Sequence, residues 1–578
     1  MRKDTLVSLP SDHSMTNDEE QEKLPHKQKT TLILSCILCL FAGAYLYSLI
    51  LNITPIAALA QSLSLGGGPA SRIQRKLLQS GKWMGTDWHL MPSTYLSQYH
   101  TAYFQLLLLM ATAFLFYGLC ALCIHFSPSS KRYAAGLIAA IWVLVICSAL
   151  IAFYTPGMLS GDIYSYTIYG RLLGIHHANP YFVTPTAFPN DPAYVYVYWK
   201  NTTTIYGPVW TIISAALARL AGNTGPGFVH IFRLFAIAMY FLNTLLVMLI
   251  MRALGRSLRT IALSAFLYAC NPLTVLEGCI GAHNDILMLT FVLLGVLFSI
   301  HTLKADTDAR RFRAYALPIV AFSLAVLVKF TALALLAFFI IALFYKVLRA
   351  KISVTNRRYQ WGHAILTLCC ASLLAGATII ACYLPFWIGH SLAEIAYSFT
   401  SSPFANQVLN CLLYVLYGWN GEYPLSPTLH FLVEQKFWST DMMIGMGVVG
   451  LLGVFILWRS QNIRAILLIV VALFAVFQLF TTWFFAWYPT ILVGLIVLCL
   501  PVRASRIARA LFVFVILFSL GVISLYYTPI LTELHGQKAP FFNWLFFCGL
   551  AAFIAPVLIS LLSLCFPVAK LHLQEEQS

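Results

Sequence analysis

The densest run of polar residues lies between Ser160 and Arg171, in the sequence SGDIYSYTIYGR, directly after a long apolar run. Asp162 follows a glycine turn, and Tyr164 and Tyr166 come after it in what reads as the start of a helix. Phenol rings stack on sugars and donate hydrogen bonds, and a planar guanidinium binds phosphate. The run therefore predicts a site for a phosphorylated sugar. An interfacial belt of aromatic rings around a solvated aspartate is the alternative interpretation.

A second polar run, EGCIGAHND, occupies residues 277–285 between two apolar runs. It ends in His283, Asn284 and Asp285, which are costly at a membrane boundary unless something pairs with them. The triplet therefore predicts a functional site. The alternative is a helix cap, in which Asn284 or Asp285 accepts hydrogen bonds at the start of the next helix. Capping and function can coexist.

Lys329 stands inside the apolar run LAVLVKFTALAL. An intramembrane lysine is a functional candidate by default, and a phosphate is its natural partner. The alternative is that its long side chain snorkels to the membrane interface. Both interpretations stay open at the level of sequence.

Two turn signals bracket the remainder of the region after Asp162. Each joins a proline to an aromatic ring: Asn179-Pro-Tyr181 and Tyr206-Gly-Pro. A separate aromatic cluster stands at the end of a later apolar run, and we interpret it as part of an interfacial belt. Its members are Trp483, Trp487 and Tyr488.

The elements that must position these residues are set by composition. Of 578 residues, 60% are hydrophobic and only 10% are charged, with a mean hydropathy of +0.80. Soluble domains are about 25% charged, so this composition excludes an ordinary soluble enzyme, a disordered chain and a disulfide scaffold. The net charge of +16 is spread over short basic clusters between apolar runs, which indicates membrane loops and argues against a nucleic-acid partner.

The apolar runs predict an all-α polytopic membrane protein with about fourteen transmembrane helices and helical outer loops. An even number puts both termini on one side, and most of the Lys and Arg fall in loops of that side, which is then the cytoplasm. We expect a multi-pass protein of the cell membrane whose polar runs face outward. The predicted segments are a cytosolic polar tail (1–31), a transmembrane hairpin with a long outer loop (32–133), a core (134–346, with outer loop 155–205), a C-terminal transmembrane region (347–566, with outer loop 388–440) and a cytosolic tail (567–578).

One apolar segment conflicts with this threading. Residues 206–222 are apolar enough to enter the bilayer, yet a full crossing there would place the later basic clusters outside. We therefore predict a short or re-entrant helix, which is tolerated where it lines a cavity.

Three blocks of the sequence carry a resemblance: SGDIYSYTIYGRLLGIHHANPY, IYGPVW and NPLTVLEGCIGAHNDILMLTFVLLGVL. In their order and spacing, together with the later Lys329, they resemble the bacterial polyprenol-phosphate-mannose-dependent α-1,6-mannosyltransferases. That family belongs to the multi-spanning glycosyltransferases with the GT-C fold. The resemblance covers roughly residues 130–345 and is faint beyond them.

The resemblance implies transfer of a hexose, mannose in that family, from a polyprenyl-phosphate carrier to a glycan or glycolipid acceptor at the outer face of the lipid bilayer. Enzymes of this kind invert the anomeric centre, and Asp162 matches the position of their catalytic base. It further implies that His283 and Asp285 belong to the catalytic set. The implied substrate-binding residues are Tyr164, Tyr166, Arg171, Asn179, Tyr181, Tyr206, Asn284 and Lys329.

No cofactor is implied with certainty. Related folds vary in their use of a divalent cation, and Asp162 with Asp285 could hold one, but two carboxylates without a third ligand are weak support for a metal site. We assign no metal ligand.

The rival hypothesis is a polytopic transporter or lipid-carrier flippase without catalysis. Such proteins carry charges in mid-span and often show inverted repeats. Here the polar runs stand at the ends of spans and no repeat is visible. The sequence therefore favours the enzyme.

Overall fold

The structure is a computed structural model that describes residues 17–63, 93–197, 199–304, 308–349, 357–400, 435–459, 463–481, 484–502, 505–527 and 549–566. Every regular element in these ranges is helical, and none is a strand. The all-α architecture predicted from the sequence is therefore confirmed. Parts of the predicted tails and outer loops fall outside the described residues, namely 1–16, 64–92, 401–434 and 567–578.

Eighteen α-helices follow one another along the described chain. They are α1 (Asn17–Leu51), α2 (Ile53–Leu63), α3 (Ser93–Phe126), α4 (Lys131–Tyr154), α5 (Asp162–Gly174), α6 (Pro208–Leu220), α7 (Gly225–Ala253), α8 (Leu258–Ala269), α9 (Asp285–Lys304), α10 (Asp308–Val328), α11 (Leu333–Arg349), α12 (Arg357–Trp387), α13 (Leu392–Thr400), α14 (Gln435–Arg459), α15 (Ile463–Phe480), α16 (Pro489–Ile496), α17 (Arg506–Gly521) and α18 (Ala555–Cys565). Short helices of other types include a π-helix at Thr274–Ile280 and a 3-10 helix at Val522–Tyr527.

Nine helices in the described ranges are long and apolar enough to cross a membrane, or ten if one bent pair counts as a span. About 20 apolar residues in a helix cover the ~30 Å hydrocarbon core, which explains why the apolar runs fold this way. The polytopic class is thus confirmed. The count of about fourteen spans and the predicted segment boundaries stay predictions.

The segment at residues 206–222 forms a short helix. Pro208 occupies the first turn of α6, where its missing N–H costs nothing, and the helix ends after 13 residues. At 1.5 Å per residue it is about 20 Å long, too short for a crossing. It packs closely on α5. A Cβ at Gly170 would come within 2.3 Å of the Ser214 carbonyl oxygen, so the two helices approach this closely because residue 170 is a glycine.

The second polar run follows a sharp bend. α8 and the π-helix meet at 62°, and the chain then turns through Gly281 and Ala282 into α9. Ala282 has a φ of 49°, in the left-handed region that side chains other than glycine seldom adopt. This turn delivers His283 and Asn284 to the start of α9, beside the first turn of α5.

Candidate functional site

The site begins at the first turn of α5. Asp162 is the first residue of that helix, where the N-terminal end of the helix dipole favours a negative charge. The Tyr166 hydroxyl, one turn further on, donates to Asp162 Oδ2 at 3.2 Å. Asp162 keeps about 20% of its side chain exposed. It is thus a carboxylate that a substrate can reach.

His283 lies between two carboxylates. Its Nδ1 is 3.4 Å from Asp162 Oδ2, and its Nε2 is 3.2 Å from Glu277 Oε2. Both are charge-pair distances, and neither contact has the alignment of a good hydrogen bond. Burial disfavours the imidazolium, but Asp162 and Glu277 outweigh that cost and raise the pKa of His283 to about 9. The ring is therefore charged at neutral pH.

Gly281 allows this arrangement. A Cβ at Gly281 would lie 2.9 Å from His283 Cδ2 and 3.1 Å from the Glu277 carbonyl oxygen. On its other side, the imidazole stacks on Trp487, with ring centroids 3.8 Å apart. The ring is thereby fixed in its plane as well as at its two nitrogens.

Asp285 and Lys329 form the second charged pair of the site. Lys329 Nζ lies 2.9 Å from both Asp285 oxygens and 4.1 Å from the centre of the Tyr488 ring. Lys329 stands at the break that ends α10, and about 18% of its side chain is exposed. Its ammonium is held inside the protein by a carboxylate, so snorkelling does not describe it.

Asn284 has an amide group with spare hydrogen-bonding capacity. The residue is 1% exposed, and its Nδ2 has no hydrogen-bond partner among the residues that the structure describes. Its backbone N–H donates to the Tyr166 hydroxyl at 3.4 Å, and its Oδ1 lies 3.5 Å from that hydroxyl, whose single proton is donated to Asp162 at the shorter distance. A buried amide donor without a partner costs free energy, which a ligand oxygen would recover. Asn284 and Asp285 thus hold partners in the site rather than serving as side-chain caps of α9.

The other predicted tyrosines lie around the charged residues of the site, but they differ in what they contact. The Tyr206 ring packs edge-on against Tyr166 at 5.0 Å, whereas Tyr164 stacks on Tyr196 at 4.8 Å. The Tyr181 hydroxyl donates to the Tyr206 carbonyl. Tyr206 is therefore next to the site, while Tyr164 and Tyr181 support its surroundings.

Asn179 and Arg171 are engaged elsewhere. Asn179 donates to the Phe386 carbonyl at the end of α12. Arg171 lies nine residues after Asp162 on α5, about 13 Å along the helix. Its Nε donates to both oxygens of Asp191 at 2.8 and 2.9 Å.

The Arg171–Asp191 pair is a buried salt bridge that ties the segment after α5 to that helix. His176 Nε2 also contacts Asp191, at 2.7 Å. Burial acts against the carboxylate, but His176, a backbone amide and Arg171 together hold the pKa of Asp191 below its usual value. Arg171 therefore holds this segment of the chain about 13 Å along α5 from Asp162, whereas Lys329 stands beside Asp285 in the site.

The sequence interpretation missed several residues of the site. That interpretation gives no role to Glu277, which lies in the polar run 277–285, or to Arg233, which lies inside an apolar run. Arg233 is buried and donates to the backbone carbonyls of Ile280, Gly157 and Thr155, so it links the segments that precede His283 and Asp162. The available signal was a charge inside an apolar run for Arg233 and a carboxylate at a membrane boundary for Glu277.

The aromatic cluster differs from its interpretation as a belt. Trp487 and Tyr488 are buried and contact His283 and Lys329, respectively. Trp483 lies outside the described residues. Tyr526 donates to Glu277 Oε1 from the 3-10 helix near the end of the chain. No local pattern distinguishes these rings from ordinary interfacial aromatics.

The two carboxylates considered for a cation, Asp162 and Asp285, both face cationic side chains. Within the described ranges, no group of three or more His, Cys, Asp or Glu side chains could hold an ion. Asp285 is already paired with Lys329, and Asp162 faces His283. These contacts leave the two carboxylates committed to cationic partners of the chain itself.

Comparisons with known proteins bear on the same region. No curated protein gives a significant match to the chain. Among solved structures, the crystal structure of the Archaeoglobus fulgidus oligosaccharyltransferase, tethered with an acceptor peptide, matches at 15% identity and a TM-score of 0.34, over 76% of this chain and 56% of that one. This chain thus spans little more than half the length of that protein.

The family model described as "Alpha-(1->6)-mannopyranosyltransferase, N-terminal domain" matches residues 77–345, which include Asp162, His283, Asp285 and Lys329. Residues 77–345 are therefore similar to the N-terminal domain of the alpha-(1->6)-mannopyranosyltransferases.

Proposed function

We propose that the protein is an integral-membrane glycosyltransferase of the GT-C type. It transfers a hexose, mannose, from a polyprenyl-phosphate carrier to a glycan or lipid-linked acceptor at the outer face of the membrane. The similarity of residues 77–345 to the mannopyranosyltransferase family model supports the sugar and the class of reaction. The apolar helices support a donor that is dissolved in the bilayer.

One observation carries the proposal: a reachable carboxylate stands beside a buried charged imidazole. Asp162 is partly exposed, whereas His283 and Glu277 behind it are buried. In the reaction, the acceptor hydroxyl oxygen forms a bond to C1 of the sugar and its proton passes to Asp162. The bond from C1 to the phosphate oxygen breaks, and the polyprenyl phosphate leaves with the electron pair. Attack from the face opposite the leaving group inverts C1.

Lys329 is the side chain placed to meet the leaving group. Negative charge grows on the phosphate as the bond to C1 breaks, and an ammonium in surroundings of low dielectric stabilises it. Asp285 holds Lys329 at 2.9 Å and so fixes the position of the ammonium. The unpartnered amide of Asn284 supplies a donor for a sugar hydroxyl.

The orientation follows from charge. With the basic loops in the cytoplasm, the starts of α5 and α9 face outward. A lipid-linked donor suits that side, because the bilayer itself delivers the substrate there.

The test is transfer of label in membranes that carry the full chain. Radiolabelled polyprenyl-phosphate-mannose is supplied with a membrane extract as acceptor source, and labelled glycan or glycolipid is expected with the wild type and not with Asp162→Asn. A transporter or flippase would move the labelled lipid between leaflets and leave the mannose on its carrier. Relocation of intact donor without any mannosylated product would therefore overturn the proposal in favour of the rival.

A further inference from the structure

A chain of side-chain contacts continues from Asp162 into the C-terminal half of the protein. His283 lies between Asp162 and Glu277, at 3.4 and 3.2 Å, and the Tyr526 hydroxyl donates to the other oxygen of Glu277. Tyr526 and Glu277 are 249 residues apart, and Tyr526 lies well beyond the segment 77–345 that carries the family match. Helices from both halves therefore meet behind the candidate base.

We propose that Glu277 and Tyr526 are positioning residues for sugar transfer. Glu277 holds His283 so that its other nitrogen faces Asp162, and Tyr526 fixes Glu277 from the C-terminal half. This inference rests on the proposed function, since it gives both residues a part in the step that Asp162 performs. Glu277 is 1% exposed and sits behind the imidazole, so it acts through His283 and not on the substrate.

The burial of Glu277 favours a functional role over a structural one. Removing a carboxylate from water costs several kcal/mol, and well-packed apolar residues often stabilise a fold as well as a buried ion pair does. Here each Glu277 oxygen has its own partner, an imidazole nitrogen on one side and a phenol on the other. The structure thus maintains a charge that packing alone would not require.

The second carboxylate changes what His283 can do. A neutral imidazole donates from one nitrogen only, whereas the imidazolium donates from both. Burial opposes the charged form, and Asp162 and Glu277 together raise the pKa of His283 to about 9. Without the charge of Glu277, the ring becomes neutral at lower pH, and Nδ1 no longer has to donate to Asp162. The groups that face this chain are Asp162, Glu277, Tyr166, Tyr526, the Asp285–Lys329 pair and Arg233, which donates to the Ile280 carbonyl.

Glu277→Gln tests the first link in the full-length protein, with radiolabelled polyprenyl-phosphate-mannose as the donor. The amide keeps the shape and removes the charge. We expect kcat to fall about 10-fold to 100-fold, as for a misplaced catalytic group, with little change in the KM for the donor. The alkaline limb of the kcat profile, near pH 9 in the wild type, should move down by about one unit. A lower kcat with an unmoved alkaline limb would reduce Glu277 to a structural residue.

Tyr526→Phe tests the second link, and Tyr103→Phe is its matched control. Tyr103 also donates a buried phenol hydrogen bond to the 3-10 helix at residues 522–527, but to the backbone carbonyl of Ser524 at 2.8 Å. We expect Tyr526→Phe to shift the alkaline limb in the direction of Glu277→Gln, and Tyr103→Phe to leave it in place. Equal behaviour of the two variants would mean that Tyr526 only anchors the turn. If Glu277→Gln fails to accumulate in membranes, this comparison carries the test.

A readout without substrate separates this inference from the proposed function. Titration of His283 by nitrogen-15 NMR in lipid nanodiscs, assigned with His283→Gln, should give a midpoint near 9 in the wild type and a lower one in Glu277→Gln. If the midpoint is lower in Glu277→Gln but the protein transfers no mannose, the role of Glu277 is supported and the proposed transferase function is contradicted. If the midpoint is unchanged in Glu277→Gln but the enzyme is active, the role of Glu277 is contradicted and the proposed transferase function is supported.

Discussion

Asp162 combines features that a base for a sugar hydroxyl requires. It occupies the positive end of α5, it accepts a hydrogen bond from Tyr166, and part of its carboxylate remains open to a substrate. His283 adds a positive charge on the buried side. At the scale of a single residue, Tyr166 and His283 thus orient the Asp162 carboxylate, and its exposed part remains accessible to a substrate.

Asp162→Asn keeps the shape of the side chain and removes the proton acceptor. We expect the transfer rate to fall by about 100-fold or more, because general base catalysis contributes typically 10²–10⁴. Rates of mannose transfer at matched protein level in membranes give the measurement. Protein level should hold, since Asp162 is partly exposed. Transfer at a near-normal rate would leave Asp162 with the role of a helix-end residue.

Lys329→Met keeps the apolar stem and removes the charge that faces Asp285. We expect weaker donor binding and a lower rate together, since the ammonium no longer neutralises the phosphate and Asp285 loses its partner. Lys329→Arg should restore part of both, because a guanidinium also binds phosphate but is larger and planar. The kinetics of both variants across donor concentrations check this. Unchanged donor kinetics in Lys329→Met would exclude the lysine from the donor site.

At the scale of elements, glycines set how closely the site-bearing segments approach. Gly207 passes against the end of α10: its N–H donates to the Val328 carbonyl, and a Cβ there would come within 1.9 Å of the Leu327 carbonyl oxygen. This contact places Tyr206 beside the residue that precedes Lys329. The turn at Tyr206-Gly-Pro therefore connects the segment between α5 and α6 to the end of α10, next to Lys329.

Gly207→Ala should destabilise the protein and misplace this joint. The added methyl group collides with backbone, which cannot rotate away as a side chain can, and overpacking typically costs 1–3 kcal/mol. Gly136→Ala is the matched control, since a Cβ at this position in α4 meets no atom of the described residues within 4 Å. Thermal unfolding in detergent should show a lower Tm for Gly207→Ala and an equal or higher Tm for Gly136→Ala. Equal Tm values for Gly207→Ala and Gly136→Ala would show that the backbone at Gly207 can move to accommodate the methyl group.

At the scale of the whole molecule, the two halves of the chain close one site. The charged residues come from the start of α5, the π-helix, the turn into α9 and the break after α10. Trp487, Tyr488 and Tyr526 come from the segments around α16 and α17. One continuous apolar core runs from α1 to the helices after α17, and Tyr526 packs against it. The C-terminal half is thus part of the candidate site as well as part of the membrane anchor.

The proposed topology predicts sidedness of thiol labelling. In a background without reactive cysteines, Gly161→Cys and Ala393→Cys should react with an impermeant maleimide from outside, and Ser129→Cys should react only after the membrane is opened. All three positions are exposed, and Gly161 has room for a side chain. Labelling of Gly161→Cys and Ser129→Cys from the same side would contradict the threading.

Local properties of the sequence sufficed for the class of protein and for most of the centre of the site. Hydrophobic length and the scarcity of charge fix a membrane helix without reference to the rest of the chain, because the bilayer is the solvent. The cost of a charge in lipid likewise marks Asp285 and Lys329 as paired or functional wherever the helices lie. The structure joins these two residues at 2.9 Å, although 44 residues separate them.

Which polar groups meet depended on how the helices pack. Arg171 pairs with Asp191 and not with the site, Asn179 reaches Phe386 across 207 residues, and Tyr526 reaches Glu277 across 249. An arginine, an asparagine or a tyrosine at the end of an apolar run looks the same whether it binds substrate or braces a loop, since its immediate neighbours in sequence are the same. The side chains that satisfy it come from distant helices, and close packing at glycines such as Gly170 and Gly207 selects them.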